Sequence, residues 1–252
     1  MKISDFGGRS PVNRMMTGLM FACIRWRSFS LRFKNKIKSV IKKKNYALCN
    51  DNHLAAEKFK HFKNQGFDKV NIGGGDKNLK GFINVDFLSH PGVEREIQAN
   101  IEDLSFIPDE SLAQIHSNHV VEHISPEAFE KQLVQYFRIL KPKGLLTIRC
   151  PNALGVCYGF WFGRVPEVGQ EEFIGLGFPE DEDFCNPLDG WYHKNFYGFL
   201  HWIFGDVGNL ANQHLNIFTP STIKKHIVKA GFDIIKISEP ESSSIILIAR
   251  KG

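Results

Sequence analysis

Two hydrophobic periods alternate along this chain. Short apolar runs end at Gly, Pro, Asn or Asp, as buried strands do. They are Val70 to Ile72, Phe82 to Val85, Val93 to Ile97 as an edge strand, Leu112 to Asn118 and Leu145 to Cys150, followed by Phe232 to Ile237 and Ser244 to Ala249. Between them the spacing turns helical. His53 to Asn64 is predicted to be a helix leading into the first strand. Ser125-Pro126-Glu127 is a helix start, with Ser as N-cap, Pro at the first helical position and an acid in the first turn. The helix it opens carries Phe129, Leu133, Val134, Phe137 and Leu140 on one face, and Lys141-Pro142-Lys143-Gly144 breaks it. Thr219-Pro220 opens another helix, which runs to Ala230 and ends at Gly231. The last two strands are close enough in sequence to pair antiparallel.

The first strand runs into Gly73-Gly74-Gly75, and the second ends at Asp86. Three glycines let the backbone turn sharply and admit a ligand without interference from Cβ. In an open α/β sheet, ligands bind beyond the carboxyl ends of the strands. An acid at the end of the second strand can there accept from a ribose diol. Residues 73–81 are too few for a helical crossover, so the connection is expected to be a turn.

Residues 153–218 follow neither period. They hold 15 of the chain's 31 aromatic residues, and acids cluster from Glu167 to Asp189. Such a length without periodicity marks a functional insertion, here expected to cover an acceptor. It brings Trp161, Trp191, Tyr192, Tyr197 and Trp202 with His193 and His214. Many of its Phe residues are expected to build a small second core.

Charge changes the picture at the N-terminus. Residues 1–50 hold 12 basic residues against one acid, Asp5, whereas the rest holds 20 bases and 26 acids. From Met15 to Ile41 the apolar residues keep helical spacing with Arg and Lys between them. Residues 1–52 are therefore expected to form a basic amphipathic arm and linker, preceding a domain over 53–252. Through residues 13–44 the arm could meet an anionic membrane surface; the alternative is a helix packed on its own domain with solvated lysines. Neither a signal peptide nor a membrane span is expected. Five cysteines without CxxC spacing argue against a disulfide framework or a zinc site and suit a reducing cytosol.

Taken together, Asn71-Ile72-Gly73-Gly74-Gly75, Phe82-Ile83-Asn84-Val85-Asp86, Ser117-Asn118-His119-Val120-Val121-Glu122-His123, Arg138-Ile139-Leu140-Lys141-Pro142-Lys143-Gly144 and Phe218-Thr219-Pro220 resemble the class I S-adenosylmethionine-dependent methyltransferases. The resemblance covers roughly residues 66–152 and 214–252. It implies a Rossmann-like, seven-stranded, mostly parallel sheet with helices on both faces and an antiparallel last strand. It implies S-adenosylmethionine as cofactor and S-adenosylhomocysteine as product. Gly73, Gly74 and Gly75 would then meet the amino-acid end of the cofactor and Asp86 the ribose. Phe87 or Leu88 would cover the adenine, Asn100 and Ile101 would meet its edge, and Asn118 and His119 would lie near the sulfonium. Asn100 departs from the family's usual Asp.

For a hydroxyl acceptor a base is needed. The candidates are His119, His193 and His214, with His123 beside them. His119-x-x-Glu122-His123 sets two histidines at i and i+4, a spacing that can bind a divalent metal on a helix. The favoured reading assigns no metal and has Glu122 and His123 hold the acceptor loop by hydrogen bonds. The expected activity is O-methylation of a small molecule such as a sugar, sugar nucleotide or glycan, by a cytoplasmic enzyme peripheral to the membrane. An RNA methyltransferase is the alternative, but acids at Glu180 to Asp183 suit phosphate poorly and disfavour nucleic acid. A non-catalytic binding module is the third reading. The sequence names neither the acceptor nor the oligomeric state.

Overall fold

A computed structural model describes residues 52–162, 170–181, 196–206, 212–239 and 242–252. The basic arm, His193, Trp191, Tyr192 and half of the acidic cluster lie outside these residues.

The described chain runs α1 (Asn52–Asn64), β1 (Lys69–Ile72), β2 (Ile83–Asp86), β3 (Glu96–Gln98), β4 (Leu112–Asn118), α2 (Pro126–Ile139) and β5 (Leu140–Pro151). It continues with α3 (Ala153–Phe162), α4 (Gln170–Ile174), α5 (Phe196–Phe204), α6 (Pro220–Lys229), β6 (Phe232–Ile237) and β7 (Ser244–Lys251). The seven strands form one sheet in the order β3-β2-β1-β4-β5-β7-β6. β1 to β5 pair in parallel, and β7 lies antiparallel between β5 and β6. The expected sheet, antiparallel strand included, is the one observed.

Side-chain alternation divides the sheet. Val70, Ile72, Ile83, Val85, Ile115, Leu146, Ile148, Ile245 and Leu247 join one core with Ala55 and Phe59 of α1, Phe129 and Leu133 of α2, and Ile223 and Ile227 of α6. Their strand neighbours Asn71, Asn84, His116 and Thr147 are polar and buried. On that second parity Ile246 and Ile248 pack against Phe173 of α4 and Phe178. The second face is thus covered in part by a short helix of the insertion.

Local chemistry accounts for the helix starts. The Ser125 side chain accepts from the Ala128 N–H, and Pro126 occupies the first turn. Thr219 and Thr222 cap α6 reciprocally, again with Pro next in sequence. α2 buries Phe129, Gln132, Leu133, Tyr136 and Ile139. Val134, expected on that face, is exposed, and Tyr136 takes its place. Leu140 belongs to β5, which begins before Lys141-Pro142-Lys143-Gly144 and carries an irregularity there: Leu112 pairs with Leu140 and Gln114 with Leu145. The edge strand lies at Glu96–Gln98, three residues beyond the expected start at Val93, because Pro91 and Gly92 prolong the turn.

The insertion leaves and returns at one point. Asn152 and Phe218 form a parallel bridge, and the Ala153 N–H donates to Phe218 O at 2.9 Å. Inside it, Val156, Phe199, Trp202 and Ile203 make the expected small second core between α3 and α5.

Ser125→Ala should remove the α2 cap and cost about 1 kcal/mol of stability. The shift of the urea midpoint at constant m-value measures it.

Candidate active site

The glycine loop is fastened to β2. The Gly73 N–H donates to Val85 O at 2.7 Å, and the Asn84 side-chain amide donates to Gly75 O at 2.9 Å. The Gly75 N–H donates to Asp86 Oδ2 at 2.9 Å. A Cβ on Gly74 would stand 2.0 Å from Asn84 Oδ1 and 2.1 Å from Asn71 Nδ2, so only glycine lets the chain lie against those amides. Gly73 and Gly75 have φ of 66° and 57°, and a Cβ on Gly75 would point into open space. The loop therefore rests on asparagines beneath and is open above, as a ligand-binding loop must be.

Asp86 is the joint of this end of the site. Its Oδ1 accepts from the Leu88 N–H at 2.9 Å, and its main-chain carbonyl accepts from the Ala99 N–H at 2.9 Å. Each carboxylate oxygen thus accepts one backbone N–H and keeps further lone-pair capacity. The Ala99 bond brings Asn100 and Ile101 beside Asp86, although they are more than a dozen residues away in sequence. The Asn100 side-chain oxygen accepts from the Glu102 N–H at 3.0 Å, so the adenine contact expected of that oxygen must share it with a turn. Ile101 O is held by the Gln132 side chain of α2 at 3.0 Å. Phe87 O accepts from Gln98 Nε2 at 3.2 Å, and Leu88 next to it is exposed.

The other end lies past β4. Asn118 closes the strand, and His119 adopts a left-handed φ of 54°. That conformation is uncommon outside glycine, though histidine is among the residues that tolerate it. The surroundings hold it: the His119 N–H donates to Arg149 O at 2.9 Å, and Nδ1 donates to Glu122 Oε1 at 2.9 Å. In the neutral ring Nε2 of His119 then carries the lone pair. Trp202 of α5 meets the ring edge to face, with centroids 5.7 Å apart.

Glu122 is 1% exposed, and among the described residues its Oε2 has no hydrogen-bond partner. Burial alone would raise its pKa; the hydrogen bond from His119, with the charges of His119 and His123, outweighs it and holds the carboxyl below its ordinary range. Its main-chain carbonyl accepts from the N–H groups of Leu215 and Asn216, at 2.7 and 3.0 Å. The main chain at Glu122 thus ties the returning insertion to the core. Residues 119–124 are a turn and not a helix, so the metal-binding spacing of His119 and His123 on a helix does not apply. His123 instead stands beside His214, with rings 5.0 Å apart. The partners of His119 that sequence reasoning missed are Glu122 and Trp202. The first was visible as an i, i+3 pair; the second had no signal beyond its place in an aromatic insertion.

The comparisons bear on these elements. Residues 83–148, from β2 into β5, match the family model described as Methyltransferase domain. Over those residues the chain is similar to a methyltransferase domain. Similar solved structures include a Burkholderia thailandensis 1,6-didemethyltoxoflavin-N1-methyltransferase with bound 1,6-didemethyltoxoflavin and S-adenosylhomocysteine, 13% identical, with 98% of this chain and 93% of that one covered at a TM-score of 0.44. A SAM-dependent methyltransferase from Archaeoglobus fulgidus is 15% identical, covering 80% and 95% at 0.43. An S-adenosylmethionine-dependent methyltransferase from Mesorhizobium loti is 12% identical, covering 78% and 98% at 0.44. No match is found among curated proteins. The glycine loop fits the S-adenosylmethionine that the resemblance implies: its open side faces outward at Gly75, next to a half-buried carboxylate with lone pairs to spare.

His214 offers a pH test. Burial, the largest influence, pushes its pKa below the ordinary 6.5. The folded protein therefore resists a proton that the unfolded chain accepts. Its contribution is present above about 6.5 and is lost as pH falls below that value. Glu122, also depressed, adds its own loss at lower pH, below the ordinary carboxylate range. His214→Gln should flatten the pH dependence of the denaturation midpoint just below the ordinary histidine value. An unchanged slope there would place the acid sensitivity elsewhere.

Proposed function

We propose that this methyltransferase methylates a hydroxyl oxygen of a small molecule such as a sugar, sugar nucleotide or glycan. One observation carries the reading: His119 is held through Nδ1 by a buried carboxylate while Trp202 of the insertion lies against its ring. When bound, S-adenosylmethionine supplies an electrophilic methyl group. The chain has then to position the acceptor in line and to take a proton. Nε2 of His119 is the lone pair available for that proton, and Glu122 fixes its tautomer and steadies the imidazolium that results. Aromatic faces suit the apolar faces of a sugar ring, and the acids of the insertion suit its hydroxyls.

Two variants separate donor binding from chemistry. Asp86→Ala should weaken S-adenosylmethionine binding by at least about tenfold, since charge-assisted hydrogen bonds contribute roughly 1.5–3 kcal/mol each. His119→Ala should bind the donor as wild type does and lose about 10²–10⁴-fold in turnover. The measurements are calorimetric titration with S-adenosylmethionine and methyl transfer from labelled donor to a panel of sugars, sugar nucleotides and glycans. Transfer to RNA with none to the panel would refute the acceptor class.

The basic arm fits a cytoplasmic enzyme that rests on an anionic membrane. Among the described residues, no helix is long and apolar enough to cross one. Deleting residues 1–50 should leave donor binding intact and abolish sedimentation with anionic vesicles at low salt, where exposed charges are least screened. Equal sedimentation without the arm would refute the role.

A further inference from the structure

Three potential ligands meet where the insertion returns to the core. One ligating atom each from Glu122, His123 and His214 lie within 4.8 Å of one another. The histidine tautomers are settled by their partners. Nδ1 of His123 faces Gln213 O at 3.2 Å, and Nδ1 of His214 faces Ile203 O at 3.2 Å. A carbonyl can only accept, so both Nδ1 atoms carry a proton, and in the neutral rings both Nε2 atoms keep a lone pair. Histidines that bind a metal are held in this way, with the other ring nitrogen donating to a carbonyl or carboxylate.

The third ligand points the same way independently. Oε1 of Glu122 is satisfied by His119, whereas Oε2 is buried without a partner among the described residues. A carboxylate oxygen in that condition is costly unless something cationic meets it. Neutral imidazoles with Nδ1 already engaged cannot, because their Nε2 lone pairs are acceptors too. A cation bonded to all three removes both difficulties.

We propose that Glu122, His123 and His214 bind one divalent transition-metal ion beside His119. Two imidazoles and one carboxylate are a donor set for zinc, iron, cobalt or manganese, and they leave coordination positions open. With bonds of about 2.1 Å, tetrahedral ligands lie roughly 3.4 Å apart, which side-chain rotation can reach from the present spacing. The ion would clamp the segment 212–216 onto the β4 end. Its open positions could hold an acceptor oxygen at the end of the fold where Glu122 also holds His119; this last point rests on the proposed methyl transfer, and ion binding itself does not.

Metal-stripped full-length protein should be titrated with Co²⁺ and followed by visible absorption and by melting temperature. The expected result is a saturable one-to-one transition with d–d bands, displaced by Zn²⁺. His214→Ala and His123→Ala should each weaken binding by more than about tenfold, the loss that disturbing even an outer partner of a metal ligand brings. Glu122→Gln should do the same; if that variant does not fold, the two histidine variants decide. His226→Ala, beside Glu130 on α2, should bind as wild type. No saturable binding of Co²⁺, Zn²⁺ or Mn²⁺ at millimolar concentration, or undiminished binding in His214→Ala, overturns the site. A parallel S-adenosylmethionine titration keeps the conclusions apart. Donor binding without metal binding refutes the ion and leaves the methyltransferase reading standing.

Discussion

The glycine-loop end of this protein depends on the carboxylate of Asp86. A glycine loop after a strand is usually steadied by a helix that follows it. Here residues 73–82 contain no helix, and the loop has no helix terminus to lend it order. Asp86 and its neighbour Asn84 supply the order instead. One carboxylate oxygen holds the Gly75 N–H and the other the Leu88 N–H, while the Asn84 amide holds Gly75 O. The same residue that would meet a ribose also shapes the loop that would meet the rest of the cofactor. Losing it would disturb both, so a mutational loss there measures architecture as well as contact.

Glu122 has the equivalent place past β4. Its main chain holds the returning insertion at Leu215 and Asn216, and its side chain holds His119. Burial makes this carboxylate sensitive to its neighbours: an ionised group so enclosed survives through what surrounds it. The left-handed backbone at His119 belongs to the same arrangement. Roughly 1–2 kcal/mol of conformational cost is offset by a main-chain bond to Arg149 O and the ring bond to Glu122. Together they aim the imidazole away from the strand and toward Trp202.

The sheet was largely legible in the sequence because its strands are apolar runs stopped by Gly, Pro or Asn, and because Ser125-Pro126 and Thr219-Pro220 advertise helix starts. Errors fell where one signal had two meanings. Lys141-Pro142-Lys143-Gly144 ends a helix, but it also sits inside a strand whose irregularity absorbs it. Val134 keeps helical spacing and still faces water, because Tyr136 fills the core position one-half turn on. The pair His119 and His123 looked helical by spacing. The positive φ at His119 breaks that register, and a residue's φ is invisible in sequence.

What sequence could not supply was the partner of His123, which lies ninety-one positions ahead at His214. Spacing arguments work within one element; this pairing is made by topology. Asn152 and Phe218 are bridged, so the long insertion begins and ends at the same sheet position, beyond β5. β4 is the neighbour of β5, and the turn after β4 therefore faces the insertion's last residues. The Gly205 to Gln213 bridge then fixes His214 at that turn, where its N–H donates to Phe204 O at 2.9 Å. Gly205 makes the approach feasible: a Cβ there would lie 2.0 Å from Asn212 O. The histidine cluster is thus a consequence of where the insertion closes, and a chain with the same motif but a differently closed insertion would lack it.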